Sequence, residues 1–280
     1  MEVTKLTKKR IMEYLSIGKR FDKRKLLEFR NIEIELGISN KAEGSARVRL
    51  GKTEVLAGVK LDVSEPYTDS PDSGVLAVVV ELLPLASEKF ELGPPKIEAI
   101  ELARIVDRGI RESGMIDLKK LCIRKEELVW NISLDIYPIN DDGNLFDASC
   151  IAAVAALLDA KIPKLEKDKV VYGELTEKTL PLTKSIPLTL TFFKIGKNFV
   201  LDPCSEEEEA SDARLTLALS PSDKEIFINA VQKGGEEALE QEKIFELIDT
   251  AIKKWSELYP EVLDKIKKAK EAREKKKETK

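Results

Sequence analysis

The chain has 280 residues, 42% of them hydrophobic and 35% charged, enough to furnish a real core in one large domain or two medium ones. No histidine is present, which excludes triads with a histidine base and makes a structural zinc site improbable. The net charge of −4 hides a division: residues 1–30 carry ten Lys/Arg against four Asp/Glu, residues 261–280 nine against five, and the stretch between sums to −14, so a uniformly basic nucleic-acid binder is excluded.

At the amino terminus Leu6, Ile11, Leu15 and Ile17 stand among lysines and predict an amphipathic helix, followed by the basic stretch KRFDKRK, whose plain reading is a docking extension. Ile32, Ile34, Leu36 and Ile38 alternate with polar residues, the period of a half-buried strand. The runs SARVRL and TEVLAGVKL flank Gly51-Lys52, a hairpin signal. Gly51-Lys52-Thr53 is not the end of a phosphate-binding P-loop, because Ala46 stands where that motif needs glycine.

Asp69 to Gly74 is loop chemistry, and VLAVVVELL after it predicts a buried strand. Residues 95–112 open with proline and place Ile97, Ile100, Val106 and Ile110 so that one flank of a helix can be buried. Glu101, Arg104, Arg108 and Arg111 form a stripe on the other, with Glu101–Arg104, Asp107–Arg111 and Arg108–Glu112 as expected surface pairs. Leu128, Trp130, Ile132, Leu134 and Ile136 predict a strand, NDDGN a turn, and ASCIAAVAALLDA a closely packed helix.

Residues 163–187 read as loop, with Pro163, Pro181 and Pro187, which sets a boundary near 185. LTLTFFKIGKNFVLDP predicts a hairpin turning at Gly196, Ser205 and Glu208 fit a capping box of a short helix, and strands are expected around RLTLALS and EIFINAV. Helices close the chain, GGEEALEQEKIFELIDTAIKKW and then the charged tail KIKKAKEAREKKKETK. This order is α+β, without the regular alternation of a doubly wound fold. No apolar run approaches the roughly 20 residues of a membrane span, and the charged amino terminus is unlike a signal peptide. A cytoplasmic protein with no membrane partner is expected. Cys122, Cys150 and Cys204 match neither a disulfide framework nor a metal spacing.

Taken in order, RFDKRK, EGSARVRLGKTEVLAGVK, ELARIVDRGIRESG, WNISLDIYPINDDGNLFDASCIAAVAALLDAKIP and PLTLTFFKIGKNFVLDPCSEEEEASDARLTLALS resemble the ribonuclease PH family over almost the whole chain. The resemblance implies an α+β, ribonuclease PH-like fold: a helical extension 1–30, a first lobe 31–185, and a smaller second lobe 186–280 ending in the charged helical tail. Active members resemble one another in a phosphate-binding Gly-Ser/Thr-Arg turn, a pair of arginines at a helix start and two aspartates six positions apart. Phosphorolysis needs these groups to neutralise two anions and assist proton transfer.

Aligned on Asp142-Gly143, the phosphate turn is here Asn144, Leu145 and Phe146, and leucine and phenylalanine cannot grip phosphate. Glu208 and Arg214 stand at the aspartate positions, and Lys96, Ile97 and Glu98 near the helix-start arginines. The members this chain resembles are therefore non-catalytic ring subunits of archaeal exosomes. That resemblance implies no cofactor or metal, a hexameric ring of three heterodimers with a catalytic sister subunit, RNA-binding cap subunits, and RNA contact through Arg104 and Arg108, with Arg111 and Lys96 as lesser contacts. Three rivals stay open: a self-sufficient phosphorolytic exoribonuclease using Asp202, Glu208 or Asp212, a structural ring spacer that never touches RNA, and a small-molecule kinase, which the missing phosphate-cradling glycine loop disfavours.

Overall fold

The computed structural model describes residues 4–222 and 225–278. The first three and last two residues of the predicted terminal extensions lie outside that range.

Alternation of apolar and polar residues builds the first sheet. Strands β1 (Ile32–Leu36), β2 (Gly44–Leu50), β3 (Thr53–Ser64) and β6 (Leu128–Asn140) run antiparallel, with β4 (Val75–Val80) parallel to β6 at the edge and the short β5 (Cys122–Arg124) also on β6. Along β3 every second residue from Thr53 to Leu61 is buried, so one face meets the core while the other keeps Glu54 and Lys60 near water. Gly51, at φ +60°, turns the β2–β3 hairpin in the left-handed region that glycine adopts without cost. The run around VLAVVVELL gives β4, but as an edge strand with no further strand beyond it, and Ala77 and Val79 lie on a face open to solvent.

A second sheet holds β10 (Asn198–Leu201), β9 (Leu188–Ile195), β11 (Ala213–Pro221) and β12 (Ile226–Gly235) in that spatial order. Between the sheets lies α3 (Leu145–Asp159), which touches β2 and β3 on one side and β9 on the other. A helix covered all round cannot be amphipathic, and its alanines allow both sheets to approach. Gly44 marks the closest point: a Cβ there would stand 2.6 Å from the Ala160 backbone. Helix α2 (Ile97–Glu112) lies beside α3 and spans from β4 to β11 and β12.

Four sequence expectations change. In α1 (Lys5–Ser16) Ile11 and Leu15 are buried one turn apart, whereas Leu6 (77% exposed) and Ile17 (66%) point outward, since the helix rests on β10 along a narrow stripe. Residues expected as loop form the hairpin β7 (Lys161–Glu166) and β8 (Lys169–Thr179), whose register shifts on either side of Pro163, the residue without a ladder donor. A five-residue helix, α4 (Ser205–Glu209), is capped one residue earlier than Ser205 and Glu208 suggest. Its N-cap is Cys204, whose backbone N–H donates to Glu207 at 3.1 Å, because Ser205 instead donates to Asp142 at 3.2 Å. Finally, the two closing helices are one, α5 (Gln241–Glu278), which starts after GGEEAL, continues through Pro260 and packs on β1, β9 and β11. Among the described residues no helix is long and apolar enough to cross a membrane.

Candidate nucleic-acid interface

Where the two sheets meet, the start of α3 is held by the chain's own charges. Gly143 (φ +84°) approaches the backbone of Pro203 and Cys204, and Asn144 follows at φ +58°. The exposed N–H groups of a helix start attract anions. Here Glu208 takes that place, its carboxyl accepting the Asn144 N–H at 2.7 Å. Leu145 and Phe146 are buried behind it, and the Arg214 guanidinium lies 3.8 Å from the Phe146 ring centre. Arg214 in turn pairs with Glu101 at 2.5 Å. Burial, with Asp141 nearby, pushes the Glu208 carboxyl up to about 7. Asp147, one turn into α3 and fully buried, is pushed up to about 6 by desolvation although Thr191 and Asn144 donate to it.

Behind this helix start sits a knot of arginines. Asp202, wholly buried, accepts from the Arg30 Nε, Nη2 and backbone N–H, from Arg24 Nη1, and from the Asn144 amide, all within 3.0 Å. Arg20 has no exposed side-chain surface and holds both Glu207 oxygens, at 2.9 and 2.5 Å, together with the Leu201 and Asp202 carbonyls. The basic stretch expected as a docking extension is thus partly internal: Arg20, Arg24 and Arg30 tie the amino-terminal segment to the 201–208 turn. Their signal in the sequence was available only in retrospect, since the partners lie far away along the chain. The three carboxylates weighed for catalysis diverge, for Asp202 serves the knot, Glu208 caps α3, and Asp212 turns to Lys8 at 2.5 Å and the Gly196 N–H at 2.8 Å.

The exposed flank of α2 carries Arg104, Arg108 and Arg111. Arg108 pairs with Glu112 at 3.2 Å, and Arg111 with Asp107 at 2.8 Å and the Leu76 carbonyl at 3.1 Å. The expected Glu101–Arg104 pair does not form, because Arg214 and Gln232 draw Glu101 toward the second sheet. Arg104 consequently makes no ion pair or hydrogen bond among the described residues. Lys96 is the N-cap residue of α2 and pairs with Glu91 at 2.5 Å. No group of metal-ligating side chains occurs among the described residues.

Two sheets clamped over a central helix, with a charged seam where they meet, define the class of two-lobed ribonuclease PH-like proteins. Models of the 3′ exoribonuclease family match its domain 1 over residues 28–163 and its domain 2 over residues 185–254, and the chain belongs to that family. It is 47% identical over 261 residues to the exosome complex component Rrp42 of Thermococcus gammatolerans, covering 92% of this chain and 94% of the relative. To the component of the same name from Methanothermobacter thermautotrophicus it is 45% identical, covering 94% and 96%. Among solved structures, a chain of an Archaeoglobus fulgidus exosome with RNA bound to the active site superposes with a TM-score of 0.80 at 41% identity, over 91% of this chain and 98% of that one.

Proposed function

We propose that this protein is a non-catalytic ring subunit of an archaeal exosome. It supports 3′-to-5′ phosphorolytic RNA degradation by an active sister subunit, in a hexameric ring of three heterodimers that carries RNA-binding cap subunits. Membership of the family and the likeness to exosome components support the assembly. One observation carries the loss of catalysis: the α3 start, where a phosphate would have to sit, is filled by Glu208 and walled by Leu145, Phe146 and Arg214. A bound anion there would meet a carboxylate in place of a hydroxyl and a guanidinium.

Contact with RNA rests on α2. Arg104, which is unpaired among the described residues, and Arg108, whose exposed partner Glu112 exchanges readily for a phosphate, hold the backbone of the incoming strand. Arg111 and Lys96 contribute less because each already holds a carboxylate. Such contacts are independent of sequence and sensitive to salt.

The test is to measure nucleoside diphosphate release from labelled RNA with phosphate present, for this chain, for an active family member, and for the two mixed. Activity gained only on mixing is expected, and robust activity of this chain by itself overturns the reading. In the mixture, Arg104→Glu with Arg108→Glu should weaken RNA binding and reduce its salt slope by about 2. The pairing of Arg108 and Arg111 with their own helix favours the structural spacer to that extent, and unchanged RNA affinity in the double variant would establish it.

A further inference from the structure

Between α2 and β12 runs a groove of about 680 Å³, walled by Ile97, Ile100 and Val231 and rimmed by Arg104 and Arg108. Its volume lies within the range of small-ligand sites. Ile97 is 71% exposed, Ile100 46% and Val231 52%, so of the α2 residues expected on the buried flank only Val106 and Ile110 are covered, where the helix meets the core. One such side chain on a surface is ordinary, whereas three converging on a cleft mark a contact site.

The floor of the groove contains an irregularity. Ala230 pairs with Ala218 across β11, and Ile228 with the next residue, Leu219, so Asn229 is the extra residue of a β-bulge. A bulge re-aims one side chain out of the regular pleat. The Asn229 side chain lines the groove, and its Nδ2 is sealed from solvent and donates to nothing among the described residues. An orphaned buried donor is destabilising unless something outside the chain accepts from it. Arg104 is the second unanswered group, since Glu101 has been drawn away to Arg214 and Gln232.

Apolar walls, an inward donor and a cation on the rim that is unpaired among the described residues together describe the ligand. It has a flat apolar body, an acceptor on its edge and an anion beside it. We infer that the α2–β12 groove is a base slot, seating one unstacked nucleotide of single-stranded RNA. The base lies against Ile97, Ile100 and Val231, the Asn229 amide turns out of its buried position to donate to an edge acceptor, and the adjoining phosphate meets Arg104. Duplex RNA does not fit, because its bases are held in the stack and cannot enter a slot. The inference rests on the RNA contact at α2 proposed above and assigns Asn229, Ile97, Ile100 and Val231 to it. A purely apolar protein segment would cover the walls but would leave the cation at the rim and the Asn229 donor unanswered.

The experiment compares two labelled strands by fluorescence anisotropy at low salt with the full-length chain. One is a short single-stranded RNA and the other is the same backbone without bases. The wild-type protein should bind the RNA about tenfold more tightly than the abasic strand, a difference of about one hydrogen bond plus apolar contact. Asn229→Leu should erase that gap without changing the salt slope, Val231→Asp should erase it and also weaken both strands through its added charge, while Arg104→Ala weakens both strands and lowers the slope by about 1. Asn229→Ala, which removes the amide donor without adding a charge, keeps the test open if the leucine variant does not fold. Equal affinity for both strands, with Arg104→Ala still weakening each, overturns the slot and leaves the RNA contact standing. Failure of both strands to bind overturns the contact itself. A gap untouched by Asn229→Leu and Val231→Asp, with assembly onto an active family member lost, assigns the groove to a protein partner and overturns the proposal.

Discussion

Replacing Arg20 by methionine strips the knot of its most deeply buried member while keeping most of the side-chain length. Four good hydrogen bonds go at once: two to the Glu207 carboxylate, one to the Leu201 carbonyl at 2.9 Å and one to the Asp202 carbonyl at 2.8 Å. Glu207, whose side chain is 2% exposed, is left with the Cys204 N–H at 3.1 Å as its remaining hydrogen bond. Breaking a buried pair by removing one partner costs about 3–5 kcal/mol, since the other charge stays buried and unanswered. For a chain of this size that corresponds to a Tm lower by roughly 6–20 °C. Calorimetry at pH 7 in low and high salt reads it. The loss should be nearly the same in both, because a sealed pair is screened little. Glu207→Leu combined with Arg20→Met should cost less than the two single changes together, with a coupling above about 1 kcal/mol. A loss below about 1 kcal/mol for Arg20→Met, or strict additivity, would refute the reasoning.

A second expectation concerns pH. The folded protein holds a proton on Glu208 up to about pH 7, against an ordinary value of 4.5. The charged form is therefore penalised above pH 7, and the penalty is relieved as pH falls toward 4.5. Arg214 and Lys89 face the same carboxyl and Asp141 repels it. Urea midpoints of the wild type should rise, relative to Glu208→Gln, between about pH 8 and pH 5; parallel curves for the two proteins would contradict this. Gly44→Ala pushes a methyl group into the α3 backbone at Ala156 and Ala160 and should cost about 1–3 kcal/mol by overpacking, read as a lower urea midpoint at constant slope. Pro260 lies exposed inside α5. Pro260→Ala restores a helix hydrogen bond and should stabilise by up to about 3 kcal/mol, seen as a higher Tm, and a lower Tm would contradict this.

The strands with clean alternation were legible because period and burial are directly linked: Leu128 to Ile136 became β6 and Ala148 to Asp159 became the heart of α3. The charged groups were not, because a charge declares its solubility and not its partner. Nothing near KRFDKRK announces that Arg20 meets Glu207, and Glu101 fits Arg104 on the helix wheel until Arg214 arrives from another sheet. Likewise Asn144 and Glu208 looked like replaced catalytic positions, and only the fold joins them across the seam. Asn229 did leave a trace, as a lone amide within the apolar run EIFINAV. Its bulge depends on register with β11, which local sequence does not fix. In β7 and β8, Pro163 within the first strand and Pro181 after the second outweighed the β-branched pair Val170-Val171.

The knot between the amino-terminal arginines and the 201–208 turn also orders events during synthesis. Arg20 and Glu207 are 187 residues apart, and Arg30 and Asp202 are 172. A ribosome delivers the cations first and their carboxylates only after some three quarters of the chain, so the first sheet can pair its strands while the segment ahead of it stays loose. Closing such long loops comes late and slowly. The residues made first are among the last to find their places, and a nascent chain halted before Asp202 would present its basic end with none of these anchors.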